Sequence, residues 1–277
     1  MNDNVNSPTD AGSYAFGNFD ENQKELDRLK FQAATERELE RGMLLKAGLG
    51  EGMQVLDLAC GPGLVSCEMA QMVGPNGHVT GVDISPDLLV EAKQAASSQG
   101  IENVSFVQGN VYELDLPENH YDFVYARFLF QHLEKPADAL AQILRVLKPG
   151  GVLVIADVDD DWLTVYPSIE TFDSFKHRAA QSQAKRGGDR FIGRKLGSLL
   201  SRAGYERASV FVQSVTSASI GMKAFLDITT GFKLEQLEPS EKDEGAKEQE
   251  TIYELVSDPD AWGLVGVFVG VGVKPAK

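Results

Sequence analysis

The chain is short of cysteine, histidine and positive charge. Two cysteines, Cys60 and Cys67, are all that its 277 residues contain, and neither has partners at metal-ligand spacing. That argues against a disulfide scaffold or a bound metal and leaves buried free thiols as the reading. Four histidines leave few side chains that titrate near neutral pH. Lysine and arginine number 26 against 41 acids, a formal net charge of −15, so the field of the whole molecule repels nucleic acid. The longest apolar run, Trp262 to Val273, is too short and glycine-rich to span a bilayer. Residues 1–13 lack the basic and apolar regions of a signal peptide, so a cytoplasmic protein is expected.

What is present is enough apolar material, 43% of the chain, for one substantial core. The stretch Val55-Leu-Asp-Leu-Ala-Cys-Gly-Pro-Gly63 breaks from an apolar run into a tight turn ahead of a helical pattern. It reads as strand, loop and helix N-terminus. Glycines there let backbone approach a ligand, and free N–H groups at the helix start favour a polar or anionic group. A dinucleotide fold would show G-x-G-x-x-G or A, whereas Gly61 and Gly63 are followed by Ser66. Asp57, inside the strand, would repel a pyrophosphate but suits a ligand carrying an ammonium group and a ribose.

The stretch resembles motif I of the class I S-adenosylmethionine-dependent methyltransferases, D/E-x-G-x-G-x-G, with Ala59 where the first glycine usually stands. The resemblance implies that Asp57, Ala59, Cys60, Gly61 and Gly63 contact S-adenosyl-L-methionine. Downstream order agrees. After a helix over Leu64–Val73, the strand Gly77–Asp83 ends in an acid about twenty residues from the glycine loop, the place of a ribose ligand. Ser85-Pro86 already supplies the next helix with its N-cap and first residue, which leaves Asp83 for the ribose and Ile84 for packing on the adenine. A third strand, Val104–Gln108, leads to Gly109-Asn110-Val111, similar to the family's element beside the adenine. Asn110 would accept from the adenine amino group and Val111 offer its backbone N–H, although Asn110 also reads as a turn residue.

Tyr121–Ala126 is the fourth strand, and Arg127-Phe128 just past its end falls where open α/β sheets bind ligands, near the methionine carboxylate or the methyl. A helix over Pro136–Leu147, the stop Lys148-Pro-Gly-Gly151 and the strand Val152–Ala156 resemble motif III. Strands over about 208–216 and 264–273 form the expected antiparallel hairpin. An N-terminal helix from Asp20 to about Ala47 resembles the family's cap helix, and on that basis Gln32 and Tyr14 are candidate cofactor contacts, with a solvated helix face as the alternative for each.

The expected fold is α/β, a doubly wound, seven-stranded, mostly parallel Rossmann-like sheet, in the order 3-2-1-4-5-7-6 by resemblance. Residues 1–19 are expected to be a flexible arm, and 20–277 a single domain with lid insertions at about 158–190 and 220–260. Trp162, Tyr166, Phe172 and Phe175 could line an apolar acceptor pocket or simply pack the lid. Lys185, Arg186, Arg190, Arg194 and Lys195 stand out in an acidic chain and could attract an anionic substrate or serve as helix-end cations. Lys233–Glu250 reads as a solvated helix and loop.

Direct methyl transfer needs positioning and water exclusion, with no metal. A small-molecule acceptor, with oxygen as nucleophile and His132 as candidate base, is the leading reading, although His132 reads more readily as a cap of the helix after the strand. A homo-oligomer is possible. The competing readings are a nicotinamide-dependent oxidoreductase, which the placing of Asp57 and the motif III element oppose, and a non-catalytic cofactor-binding accessory protein.

Overall fold

In a computed structural model of the chain, Ser13 and residues 22–276 are described; Tyr14 and most of the arm lie outside them. The described residues form a seven-stranded sheet in the order β3-β2-β1-β4-β5-β7-β6, the order the resemblance implies. Its strands are β1 (Gln54–Leu58), β2 (His78–Asp83), β3 (Val104–Gln108), β4 (Tyr121–Arg127), β5 (Leu147–Tyr166), β6 (Glu206–Thr216) and β7 (Trp262–Val273). β1 to β5 run parallel, and β7 lies antiparallel between β5 and β6.

Side chains alternate across each strand, so the central ones must be apolar on both faces. Along β4, Phe123 and Tyr125 enter one core and Val124 and Ala126 the other. The first core takes Met43 and Leu44 of α1 (Asn22–Lys46) and Met69 and Val73 of α2 (Leu64–Val73). The second takes Leu140 and Ile143 of α4 (Pro136–Val146) and Leu196 and Leu200 of α6 (Leu196–Arg202). Between them in the chain come α3 (Pro86–Ser98) and α5 (Glu170–Lys185). The start of α3 is held as its sequence suggests, with Ser85 Oγ accepting from Leu88 N at 3.3 Å and proline in the first turn.

Two elements differ from expectation. β5 does not stop at Ala156 but continues to Tyr166, pairing with β7 as far as Tyr166↔Trp262. A register shift between Val158 and Leu163 marks where the strand bows. Asp159 and Asp160 are buried in it, and an acid run of this kind reads as loop until its cations are supplied from elsewhere. Residues 158–166, expected within an insertion, are therefore sheet.

The tract after β6 also differs. It is a chain of short helical turns followed by α7 (Lys242–Tyr253). Phe225, Leu226, Leu237 and Ile252 from it pack on Phe172 and Phe175 of α5 and on Leu163 and Val265 of the sheet. The two inserted segments thus share one core over the extended end of β5 and β7. Lys233, expected to be solvated, is only 1% exposed.

Candidate cofactor and acceptor site

A cavity of about 240 Å³ opens at the carboxyl ends of β1, β2, β4 and β5 and runs beneath the helical insertion. At one end the loop after β1 turns through two left-handed residues on the cavity wall, Ala59 (φ 57°) and Gly61 (φ 53°). Gly61 N donates to Asp83 Oδ2 at 2.8 Å, and Ser85 N to Asp83 Oδ1 at 2.9 Å. The carboxylate at the tip of β2 therefore ties the glycine loop to the start of α3. Burial raises its pKa against those backbone donors.

Gly63 has a different place from the one expected. It does not line the cavity; it begins α2 with φ 75°, and a Cβ there would lie 2.6 Å from Ala92 Cβ and 2.9 Å from Phe106. It gives α2 its close approach to α3 and β3, the packing role that a dinucleotide loop assigns to its third glycine. Ser66 instead donates to Asp57 Oδ2 at 2.5 Å. Asp57 is buried beside the cavity, and burial pushes its pKa up to about 7, with Glu40 adding to the rise and Ser66 and Arg127 opposing it.

Asp83, Ile84, Asn110, Val111, Arg127, Phe128 and Gln32 all reach the wall, as do Cys60 and Ala59. Asn110 Oδ1 accepts from Tyr112 N at 2.9 Å, the turn geometry, so any ligand must use its remaining acceptor capacity. Arg127 Nε lies 3.3 Å from Glu40 Oε1, which also accepts from the Tyr125 hydroxyl at 2.5 Å. Glu40 of α1 thereby anchors the cap helix to the end of β4, a contact with no sequence signal because the partners lie 85 residues apart. Phe128 adopts φ 51°, a strained conformation for a bulky side chain.

His132 lines the cavity but is badly suited to be a base. Burial, then the nearby Arg190, Arg28 and Arg186, hold its pKa down to about 3. Gln183 Nε2 donates to the Gln131 carbonyl at 2.9 Å, which fixes the amide orientation, and the same nitrogen lies 3.2 Å from His132 Nδ1. Nδ1 then accepts, and Nε2 carries the hydrogen. A neutral donor of this kind orients groups; it does not remove a proton. Ser13 Oγ is 2.9 Å from the same Nδ1.

The other end of the cavity holds residues that sequence reasoning missed or misplaced. Trp162, Tyr166, Phe172 and Phe175 do not line it: the phenylalanines fill the lid core, and Trp162 stacks edge-on against Phe268 at 5.4 Å. The aromatic ring there is Phe232, with Ile228 and Thr229 beside it on a single π-helical turn, Asp227–Gly231. Of the five basic residues singled out above, Arg190 is the one on the wall. Arg194 pairs with Asp159 and Asp161, and Lys195 with Asp189. Arg190 donates to Asp160 through Nε (3.1 Å) and Nη2 (2.7 Å), and Lys233 Nζ reaches Asp160 Oδ2 at 2.6 Å. These cations hold the Asp160 carboxyl far below its ordinary range although burial opposes them. The three residues come from β5, the α5–α6 connection and the insertion, so no local pattern announces them.

Both thiols are buried, and burial raises their pKa values, Cys67 to about 11. Among the described residues no helix is long and apolar enough to cross a membrane.

Comparison with known proteins places this geometry. A family described as a methyltransferase domain matches residues 49–204. The ubiquinone/menaquinone biosynthesis C-methyltransferase of Shewanella pealeana is 36% identical over 131 residues, 47% of this chain and 52% of that protein. The chain spans about half the length of the curated relatives it matches. Among solved structures, a putative methyltransferase of Bacillus halodurans aligns over 85% of this chain and 98% of its own, with TM-score 0.56 and 21% identity. The [4+2]-cyclase SpnF aligns over 89% and 83%, with TM-score 0.60 and 22% identity. These last two likenesses concern the fold alone. With the family matched across more than half of its length, on a sheet of the expected order, the chain belongs to the class I S-adenosylmethionine-dependent methyltransferases.

Proposed function

We propose that the protein transfers the sulfonium methyl of S-adenosylmethionine to a small-molecule acceptor held beneath the insertion. One observation carries this reading: a single cavity joins the glycine loop and Asp83 to the chamber walled by Phe232, Thr229 and Arg190. The cofactor fits the first end. A Cβ on Gly61 would meet no protein atom within 4 Å, so the space beside that backbone is open to a ligand. Asp83 would hold the ribose, Ile84, Asn110 and Val111 the adenine, and Asp57, Arg127 and Phe128 the methionine end. When bound, the cofactor supplies an electrophilic methyl, and the chain's task is to orient the acceptor and exclude water.

The acceptor is small, because a chamber of this volume roofed by helical turns has no room for a polymer and the net charge of −15 disfavours nucleic acid. Oxygen is the nucleophile we favour, supported by the polar groups of Thr229, Gln236 and Gln32 around the chamber. The relative's name records carbon for that protein. Without a base in His132, the acceptor oxygen should arrive ionised. The N-terminal arm would complete the site: Ser13 N donates to the His132 carbonyl at 3.0 Å.

Calorimetry with S-adenosylhomocysteine and NAD in parallel tests the cofactor. Binding of the first alone supports the reading, and binding of NAD alone sinks it. Transfer of labelled methyl from S-adenosylmethionine to a panel of phenols, enols and carboxylic acids tests the acceptor. A protein lacking residues 1–19 should bind S-adenosylhomocysteine normally and turn over more slowly.

A further inference from the structure

Beneath the insertion, among the described residues, two buried cations, Arg190 and Lys233, gather on one carboxylate, and the half-buried Arg28 comes to the same aromatic ring. Arg28, Arg190 and Lys233 all approach the Phe232 ring, at 4.8, 5.4 and 5.5 Å from its centroid. Glu25 answers Arg28 through two bonds of 2.7 Å. Among the described residues, Asp160 is the carboxylate that answers both Arg190 and Lys233. Asp157, buried close by, spends its carboxylate on the backbone N–H groups of Gln131 (3.0 Å) and Val158 (2.8 Å), and does not line the cavity. Burial also pushes its pKa up to about 7, so it is only partly charged at neutral pH.

Two buried cations on one carboxylate leave a positive surplus, and an uncompensated charge in a low-dielectric site is costly. The ring of Phe232 softens that cost through its negative face. It does not cancel it. The same arginines act on His132, whose pKa is held down first by burial and then by Arg190, Arg28 and Arg186. Arg190 lines the cavity, whereas Lys233 does not; its Nε and Nη2 bond Asp160 and its Nη1 bonds Gln131, so three of its five N–H donors are used within the described residues.

We propose that the acceptor is a compact organic anion, a carboxylate or an ionised phenol or enol, whose charged oxygen is met by the Arg190 guanidinium while Val158, Leu163, Ile228 and Val265 cover its apolar body. The proposal rests on the methyl-transfer reading of this cavity and names the substrate class for it. An acceptor that enters ionised needs no base. Its oxygen lone pair forms the new O–CH3 bond as the C–S bond breaks, the electron pair stays on sulfur, and sulfonium plus anion become thioether plus neutral product. The product then has no charge for Arg190 to hold, which favours its release.

The test uses the full chain saturated with S-adenosylhomocysteine and measures, by calorimetry, benzoate and 4-hydroxybenzoate against their neutral isosteres benzamide and 4-hydroxybenzamide. The acids should bind at least tenfold more tightly than the amides. This contrast lies in the ligand and needs no variant. In Arg190→Gln, provided its unfolding transition stays cooperative, the preference for acid over amide should fall below twofold while S-adenosylhomocysteine affinity is kept. Equal affinity for acid and amide, or no binding of either acid to the loaded protein, overturns the anion proposal and leaves the methyltransferase reading standing. Failure of S-adenosylhomocysteine itself to bind overturns both.

Discussion

The two ends of the cavity bury acids to the same depth and treat them in opposite ways. At the strand ends of β1 and β2, Asp57 and Asp83 are desolvated without an adjacent cation strong enough to compensate, and their pKa values rise. At the insertion end, Asp160 is equally buried but bonded to Arg190 and Lys233, and its pKa falls. Asp157, at the boundary, bonds only backbone N–H groups and behaves like the first pair. An acid whose charge is opposed by its surroundings is held ready for an external cation or hydroxyl. One whose charge is spent on the chain's own cations holds the fold together.

Removing acids from the two ends should therefore cost different things. Asp160→Ala leaves Arg190 and Lys233 buried beside each other without a counter-charge, and breaking a buried pair in this way costs about 3–5 kcal/mol of stability. Chemical denaturation should show the loss. A drop below about 1 kcal/mol would mean that solvent reaches the cluster and that the contrast between the two ends is false. The contribution of Asp160 also has a pH signature. Its folded pKa lies below the unfolded one, so the stability is present above the ordinary carboxylate range and is lost as the pH falls through the folded value.

Asp83→Ala should do the reverse. The proposed bonds to the ribose hydroxyls, each worth about 1.5–3 kcal/mol when charge-assisted, disappear together with the Gly61 and Ser85 contacts that shape the loop. A loss of about 3 kcal/mol in S-adenosylhomocysteine affinity, roughly a hundredfold, is expected in calorimetry, with a smaller change in stability. Unchanged affinity would show that the ribose is held elsewhere.

The difference between the ends also explains what the sequence made legible. Asp57, Gly61, Asp83 and Asn110 sit at the ends of successive strands or in the short loops just past them, so a contiguous motif and its spacing located them, and the family resemblance that they carry implied the strand order. Asp160 and Lys233 meet across 73 positions, and Lys233 lies in an acid-rich tract that reads as solvent-facing. The extension of β5 was hidden for a related reason: Asp159 and Asp160 tolerate burial in a strand only because Arg194 and Arg190 come from a distant connection. His132 was found by type and position, but its proton state depends on Gln183, 51 residues away.

Asp57 offers a finer probe of the cofactor end. Its folded pKa, about 7, lies above its ordinary value of 3.8. The stability it contributes is thus fully present below pH 4 and declines as the pH rises through 7, and Asp57→Asn should flatten that decline in thermal unfolding. If the ionised form receives the cationic end of S-adenosylmethionine, affinity in the parent protein should rise roughly tenfold between pH 6 and 8, as one titrating group centred near 7 requires. A flat profile would place the methionine end away from Asp57.

The smallest effect concerns strain. Four non-glycine residues among those described have positive φ, and two of them, Ala59 and Phe128, line the cavity on the cofactor side. Ala59 is exposed to that space, so its methyl gains little from packing. It nonetheless holds φ 57°, where a Cβ crowds the carbonyl oxygen at a cost of about 1–2 kcal/mol. Ala59→Gly removes the clash but loosens the unfolded chain, an opposing cost of about 0.5–1 kcal/mol. The net gain should lie between about 0 and 1.5 kcal/mol, seen as a higher denaturation midpoint with an unchanged slope. Cofactor affinity should stay the same or fall slightly, because the loop that Gly61 and Asp83 pin together would become freer before binding. A lower midpoint would mean that the alanine methyl makes contacts worth more than its strain, and that the cofactor end, like the insertion end, is held by packing as well as by backbone geometry.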